Sequence, residues 1–161
     1  MADIKAKYGT SNQSITITLN SLANDAKRES TAVDNSSNLF LDALVQVKIA
    51  TNASNSSTGD KSVYIYAYGT ADAGTTYSGN ASGTDSSFGT DPQQLMNCKL
   101  IGVIYAPTAN MTYESDLMSI ANAFGGRLPE RWGVVAHNKT GYALNSSGNG
   151  AFYQGILAQS V

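Results

Sequence analysis

The chain has one cysteine, one histidine, one tryptophan and three prolines in 161 residues. The lone cysteine, Cys98, excludes an internal disulfide and any multi-cysteine metal site. It lies in an apolar run and reads as a small buried hydrophobe rather than a reactive thiol. With one cysteine and one histidine, zinc would need carboxylates to complete its ligand set, so no metal is expected. Charge is also scarce. Only 14% of residues are charged and the net charge is −2, where an ordinary domain carries about a quarter charged residues. The lysines and arginines are scattered, with no basic stripe to follow a phosphate backbone, and no nucleic-acid partner is expected. No apolar run approaches the roughly 18 residues of a membrane span, so no membrane partner is expected either. Residues 1–7 lack the apolar core of a signal peptide, and the expectation is synthesis in a cytoplasm and release by assembly or lysis.

Catalytic signatures are missing too. His137 is the only candidate base for a nucleophilic triad, and no Gly-x-Ser-x-Gly precedes it. It reads as a strand-end residue with water for a partner. No phosphate-binding glycine loop follows a strand. Glu114 and Asp116 are close in sequence but read as loop decoration, and Glu130 reads as a surface partner for Arg127 or Arg131. The Gly-Thr-Asp triplets at 83–85 and 89–91 match neither EF-hand spacing nor a calcium-binding nonapeptide repeat. The expectation is a protein without enzymatic activity, cofactor or metal.

What is present is a strand-forming sequence. Ser, Thr, Asn and Gly supply the polar surface, and these residues favour turns and strands over helix interiors. In Ser14–Asn20, Ile15, Ile17 and Leu19 share one face, the period-two signature of a half-buried strand. Residues 28–33 form a short second strand before an Asp-Asn-Ser-Ser-Asn turn. The longest alternation places Leu39, Leu41, Ala43, Val45, Val47 and Ile49 on one side. Residues 61–69 set Val63, Ile65 and Ala67 against Tyr64, Tyr66 and Tyr68. Residues 95–106 read as a strand buried on both faces and stopped by Pro107. Residues 115–124 fit either a short helix capped by Ser115 or Asp116, or a strand, and the neighbouring strands favour the strand. Arg131–Leu144 reads as a hairpin turned by Asn138-Lys139-Thr140-Gly141, and residues 151–158 as a last strand. The fold class is all-β: an antiparallel β-sandwich, jelly-roll-like, with about eight strands and at most one short helix. Its organisation is an N-terminal arm, residues 1–13, and a single domain, residues 14–161, with a long Gly/Ser/Thr-rich loop at 70–94. A loop of that length is mobile or ordered by a partner.

From Gly125-Gly126-Arg127-Leu128-Pro129 through Trp132-Gly133-Val134-Val135 to Asn138-Lys139-Thr140-Gly141, with a closing Tyr153-Gln154-Gly155, the chain resembles small virion structural proteins of tailed bacteriophages. The likeness covers roughly Ala26 to Ile156, and its motifs mark turns and core positions rather than a reactive site. It implies a jelly-roll cement or decoration subunit on the capsid surface of a virion, bound to the major capsid protein and assembled as a homo-oligomer, a dimer or trimer. Candidate contact residues are Ile4, Lys5, Lys7 and Tyr8 in the arm, Tyr77 and Phe88 in the long loop, and the row Tyr64, Tyr66 and Tyr68. The bland alternative for the row is rings filling space beneath a neighbouring loop. The competing function is a receptor- or carbohydrate-binding module of a tail fibre or adhesin, using Trp132, the tyrosines and the polar loops.

Overall fold

The computed structural model describes residues 3–53, 59–89 and 91–161, with residues 92 and 93 described by backbone only. The strands in chain order are β1 (Ile4–Tyr8), β2 (Gln13–Ile15), β3 (Lys27–Glu29), β4 (Val33–Asp34), β5 (Asp42–Ala50), β6 (Ser62–Gly69), β7 (Ser86–Ser87), β8 (Lys99–Tyr105), β9 (Thr112–Glu114), β10 (Met118–Ser119), β11 (Arg131–Lys139) and β12 (Gly150–Ser160). Helix α1 (Pro92–Met96) precedes β8, and α2 (Ile120–Ala123) follows β10.

Two antiparallel sheets result. One runs β1-β12-β5-β10, with β2 also on β12 and β9 also on β5; the other runs β7-β3-β11-β6-β8, with β4 also on β11. Taking β1/β2, β3/β4 and β9/β10 as single interrupted runs and leaving aside the two-residue β7, the described residues make eight runs. The first pairs with the eighth, the second with the seventh, the third with the sixth and the fourth with the fifth. This is one long hairpin rolled up so that alternate pairs fall in opposite sheets, the connectivity of a jelly roll. The protein is an all-β sandwich.

The core lies between the sheets and follows the period-two reading. Ala43, Val45, Val47 and Ile49 of β5 face Val63, Ile65 and Ala67 of β6 and Trp132, Val134 and Ala136 of β11 in one apolar cluster. Trp132 meets Tyr153 edge to face across the gap, with ring centroids 5.4 Å apart, a geometry that contributes beyond area burial.

Several expectations need correction. The long alternation begins at Asp42, not Leu39, and Leu39 and Leu41 are exposed. The ladder of the first predicted strand stops at Ile15, although Leu19 is still buried. Residues 115–124 divide into β10 and then α2, and Ser119 is the cap, its hydroxyl accepting from the Asn122 amide. The helix wins because Asp42 accepts hydrogen bonds from both the Ser119 hydroxyl and the Ala121 amide, fixing the turn on β5. Among the described residues there are two short α-helices, α1 and α2, where at most one was expected.

The Asn138 turn exists, but the hairpin does not. The buried Asn138 side chain accepts from the Thr140 amide and donates to the Leu22 and Tyr142 carbonyls. Gly141 takes φ +92°, open to glycine at little cost. Those bonds steer the chain out of the β11 sheet. Leu144 bridges Thr51 in the opposite layer, and β12 pairs with β5 instead of β11.

The N-terminal arm is not free. Ile4–Tyr8 pair residue for residue with Ser160–Ile156 as an edge strand, and Gln13 lies in β2. Residues 1 and 2 of that arm lie outside the described residues. Among the described residues no helix is long and apolar enough to cross a membrane.

Candidate interaction surfaces

The tyrosine row runs along β6 on the outward side of the second sheet, and its three members have different surroundings. Tyr68 is fully buried and its hydroxyl donates to the Ser30 carbonyl at 2.6 Å. Tyr66 and Tyr64, toward the start of β6, are half-buried. Tyr68 is therefore not a contact residue but a second core. It packs with Val135, Ala81, Phe88, Leu95 and Cys98, with Tyr77 against them. Tyr77 stands edge-on to Tyr68 at 5.4 Å. Phe88, read as a loop contact, is buried in the same cluster, and Tyr77 is half-buried against it. Gly133 sits opposite Tyr68 in the ladder. A Cβ there would run into the Tyr68 ring, so glycine is what lets the ring lie flat on β11. Burial drives the Tyr68 hydroxyl pKa upward and pushes the Cys98 thiol up to about 11. That favours an inert thiol.

The cover over this second core is the long loop, which docks on its own domain. The Glu29 carboxylate, 3% exposed, accepts from the Ser82 amide and from the Ser82 and Ser86 hydroxyls. Asp85 takes Arg28 at 2.6 Å and the Thr18 amide at 3.0 Å. Asp72 accepts from Thr70, from the Thr76 amide and from the Thr76 hydroxyl, closing a local turn. These bonds hold its pKa well below the usual carboxylate range. A segment poor in apolar residues is thus ordered by three carboxylates, the buried Glu29, the half-buried Asp85 and the exposed Asp72.

The rest of the outward face is open. Beyond β6 the sheet ends at β8, and its outward side chains are Leu100 (53% exposed), Val103 (48%) and Tyr105 (60%). Val103 lies opposite Tyr64, and Leu100 opposite Tyr66. Their apolar run predicts a strand buried on both faces. In fact β8 is an edge strand and of its side chains only Ile104 is buried. The available signal was Gly102, placed where the β6–β8 register slips by one residue, since glycine inside a strand pattern marks a bulge and edges are often bulged. The open patch is Leu100, Val103 and Tyr105, bordered by the half-buried Tyr64 and by Tyr66, which packs against the second core. On the other sheet, all of Ile4–Tyr8 is exposed, so Ile4, Lys5, Lys7 and Tyr8 remain available to a partner.

The residues with chemical potential are bound up in structural roles. His137 Nε2 lies 2.9 Å from Asp25, which also takes Lys139 at 3.0 Å. Hydrogen bonds from His137 and Lys139 hold the Asp25 pKa down to about 2, while burial lowers that of His137. Trp132 is 1% exposed, which removes it as a stacking platform for sugars. Among the described residues no group of three or more His, Cys, Asp and Glu could hold a metal ion. No family model, no curated protein and no solved structure matches this chain.

Proposed function

We propose that this chain is a non-enzymatic structural protein that acts by contact. In the reading implied by its resemblance, it is a cement or decoration subunit on a tailed-bacteriophage capsid, bound to the major capsid protein and assembled as a dimer or trimer. The observation that carries this reading is the open patch of Leu100, Val103 and Tyr105, bordered by the half-buried Tyr64 and Tyr66, along an unpartnered sheet edge. Soluble monomers usually blunt such edges, because free strand backbone beside apolar side chains templates association. Large aromatic side chains with a polar tip are the groups that carry binding energy at protein interfaces. A modest interface of about 1,000 Å² per copy suffices when copies act together on a lattice.

The competing sugar-binding reading loses its tryptophan, which lies inside the sandwich. Cosedimentation with empty particles of the companion capsid protein tests the first reading. Saturable binding is expected, weakened about tenfold or more by Tyr105→Ser or Tyr64→Ser. No association at micromolar concentration, or full binding by both variants, would overturn it.

A further inference from the structure

The outer face of the first sheet, remote from the tyrosine row, carries a shallow groove where β1, β5 and β12 lie side by side. Its volume is about 230 Å³. Phe152 stands opposite Gln46, and Gln154 opposite Leu44. Apolar and amide side chains therefore alternate across the strands like a checkerboard. Tyr8 and Leu117, each 61% exposed, also line it. Among the described residues no lysine, arginine, aspartate or glutamate lines it.

The two amides are held in place. Gln46 Nε2 donates to the Ser115 carbonyl at 3.2 Å, and Gln154 Nε2 to the Gly9 carbonyl at 3.0 Å. Each glutamine is thereby oriented through its nitrogen, and no described residue donates to either Oε1. The acceptors are fixed before any ligand arrives, which lowers the ordering cost of binding.

We propose that this groove binds a neutral glycan of at least two linked rings, one lying on Phe152 and the next reaching Tyr8, which pairs four residues further along β12, with hydroxyls donating to Gln46 and Gln154. Sugar rings have apolar C–H faces that pack on aromatic rings, and edge hydroxyls that need hydrogen-bond partners when water is displaced. Apolar side chains alternating with fixed amide oxygens meet both needs. The uncharged lining gives an acidic sugar no cation to pair with. The volume falls below the roughly 300–1,000 Å³ of enclosed ligand pockets, which suits two linked rings resting on a surface.

Nuclear magnetic resonance titration of the isotopically labelled protein tests this. The probes are glucose, galactose, mannose, N-acetylglucosamine and their disaccharides, with glucuronate and N-acetylneuraminate as acidic controls. Saturable shifts at the Gln46, Phe152 and Gln154 amides are expected with at least one neutral sugar and weaker ones with the acidic pair. Phe152→Ala and Gln154→Leu should each weaken binding about tenfold or more and leave capsid cosedimentation unchanged. Three results would overturn the assignment: no saturable shift with any neutral sugar, equal affinity in both variants, or the same residues shifting with protein concentration alone. The last would place a second copy of the chain in the groove.

Discussion

Two strands of the second sheet carry nearly the same sequence pattern and meet opposite fates. In β11, Trp132-Gly133-Val134-Val135-Ala136 is apolar around one glycine, and every residue is buried. In β8, Leu100-Ile101-Gly102-Val103-Ile104 is also apolar around one glycine, and only Ile104 is buried. A single strand, β6, separates them. The difference lies in what surrounds each. β11 has ladder partners on both sides, the interior on one face, and the docked long loop with its Tyr68–Phe88 cluster on the other. β8 has a partner on one side only, and its outward face is bare. Local hydrophobicity reports that a strand face is apolar. It does not report what covers that face, and here the cover is supplied by a polar segment from elsewhere in the chain.

The sharpest way to break this comparison is to make one substitution in both strands. Val135→Asp places a carboxylate in the apolar cluster beneath the loop, and an uncompensated buried charge of this kind costs about 3–5 kcal/mol. Val103→Asp places it on the open face, where surface substitutions stay within about 0.5 kcal/mol. Urea unfolding of the two variants measures the contrast. Similar losses at both positions would mean that the outward faces are equivalent after all.

A smaller effect sharpens the role of the cover. Glu29→Ala leaves the Ser82 amide and two serine hydroxyls without their acceptor, a cost of about 1–3 kcal/mol. Hydrogen exchange at the Ser82 amide should accelerate. Burial is the main cause of the raised Tyr68 pKa and the Glu29 charge adds to it, so spectrophotometric titration should show that hydroxyl moving back toward the ordinary tyrosine range, both as the loop loosens and as the charge is removed. A Tyr68 that titrates as before, with the loop loosened, would show that something other than the loop buries it.

The same contrast explains what could be read in the chain beforehand. Alternation placed Val45, Val47 and Ile49 on one face of their strand and Val63 and Ile65 on one face of theirs, and both faces lie in the core, because side-chain direction along a strand is a local property. The jelly-roll class followed from the number of such segments. The fate of Tyr68 did not, because it depends on residues 77–88 returning to lie over it, and that return is fixed by Glu29 and Asp85, two carboxylates that look like ordinary surface charges. The hairpin after β11 failed for a related reason. Asn138 signals a turn, but its long-range bond to Leu22, more than a hundred positions away, decides which sheet the chain enters next. The groove on the first sheet was illegible because Phe152, Gln46 and Tyr8 come from three distant segments that only strand register brings together.

The smallest expected effect tests the border between the covered and open regions. His137 projects from β11 opposite Lys27 on one side and Tyr64 on the other, and its side chain is 13% exposed. Burial lowers its pKa from 6.5, the lysines Lys27 and Lys139 act in the same direction, and Asp25 opposes them. The folded protein therefore holds this imidazole neutral more strongly than the unfolded chain does. Between the folded pKa and about 6.5, the unfolded chain binds more protons, so stability rises with pH through that window. The contribution is complete above it and is lost as the pH falls through it. Asp25, whose pKa is lowered from 3.8 to about 2, acts in a separate acid window and loses its contribution as the pH falls from about 3.8 through about 2. Thermal melting at about pH 7.5 and about pH 5.5 brackets the histidine window. The wild-type Tm should fall more between the two than that of His137→Gln, which has no charge to gain. Equal drops would place His137 on the open side of the border, with too little burial for its protonation to oppose folding.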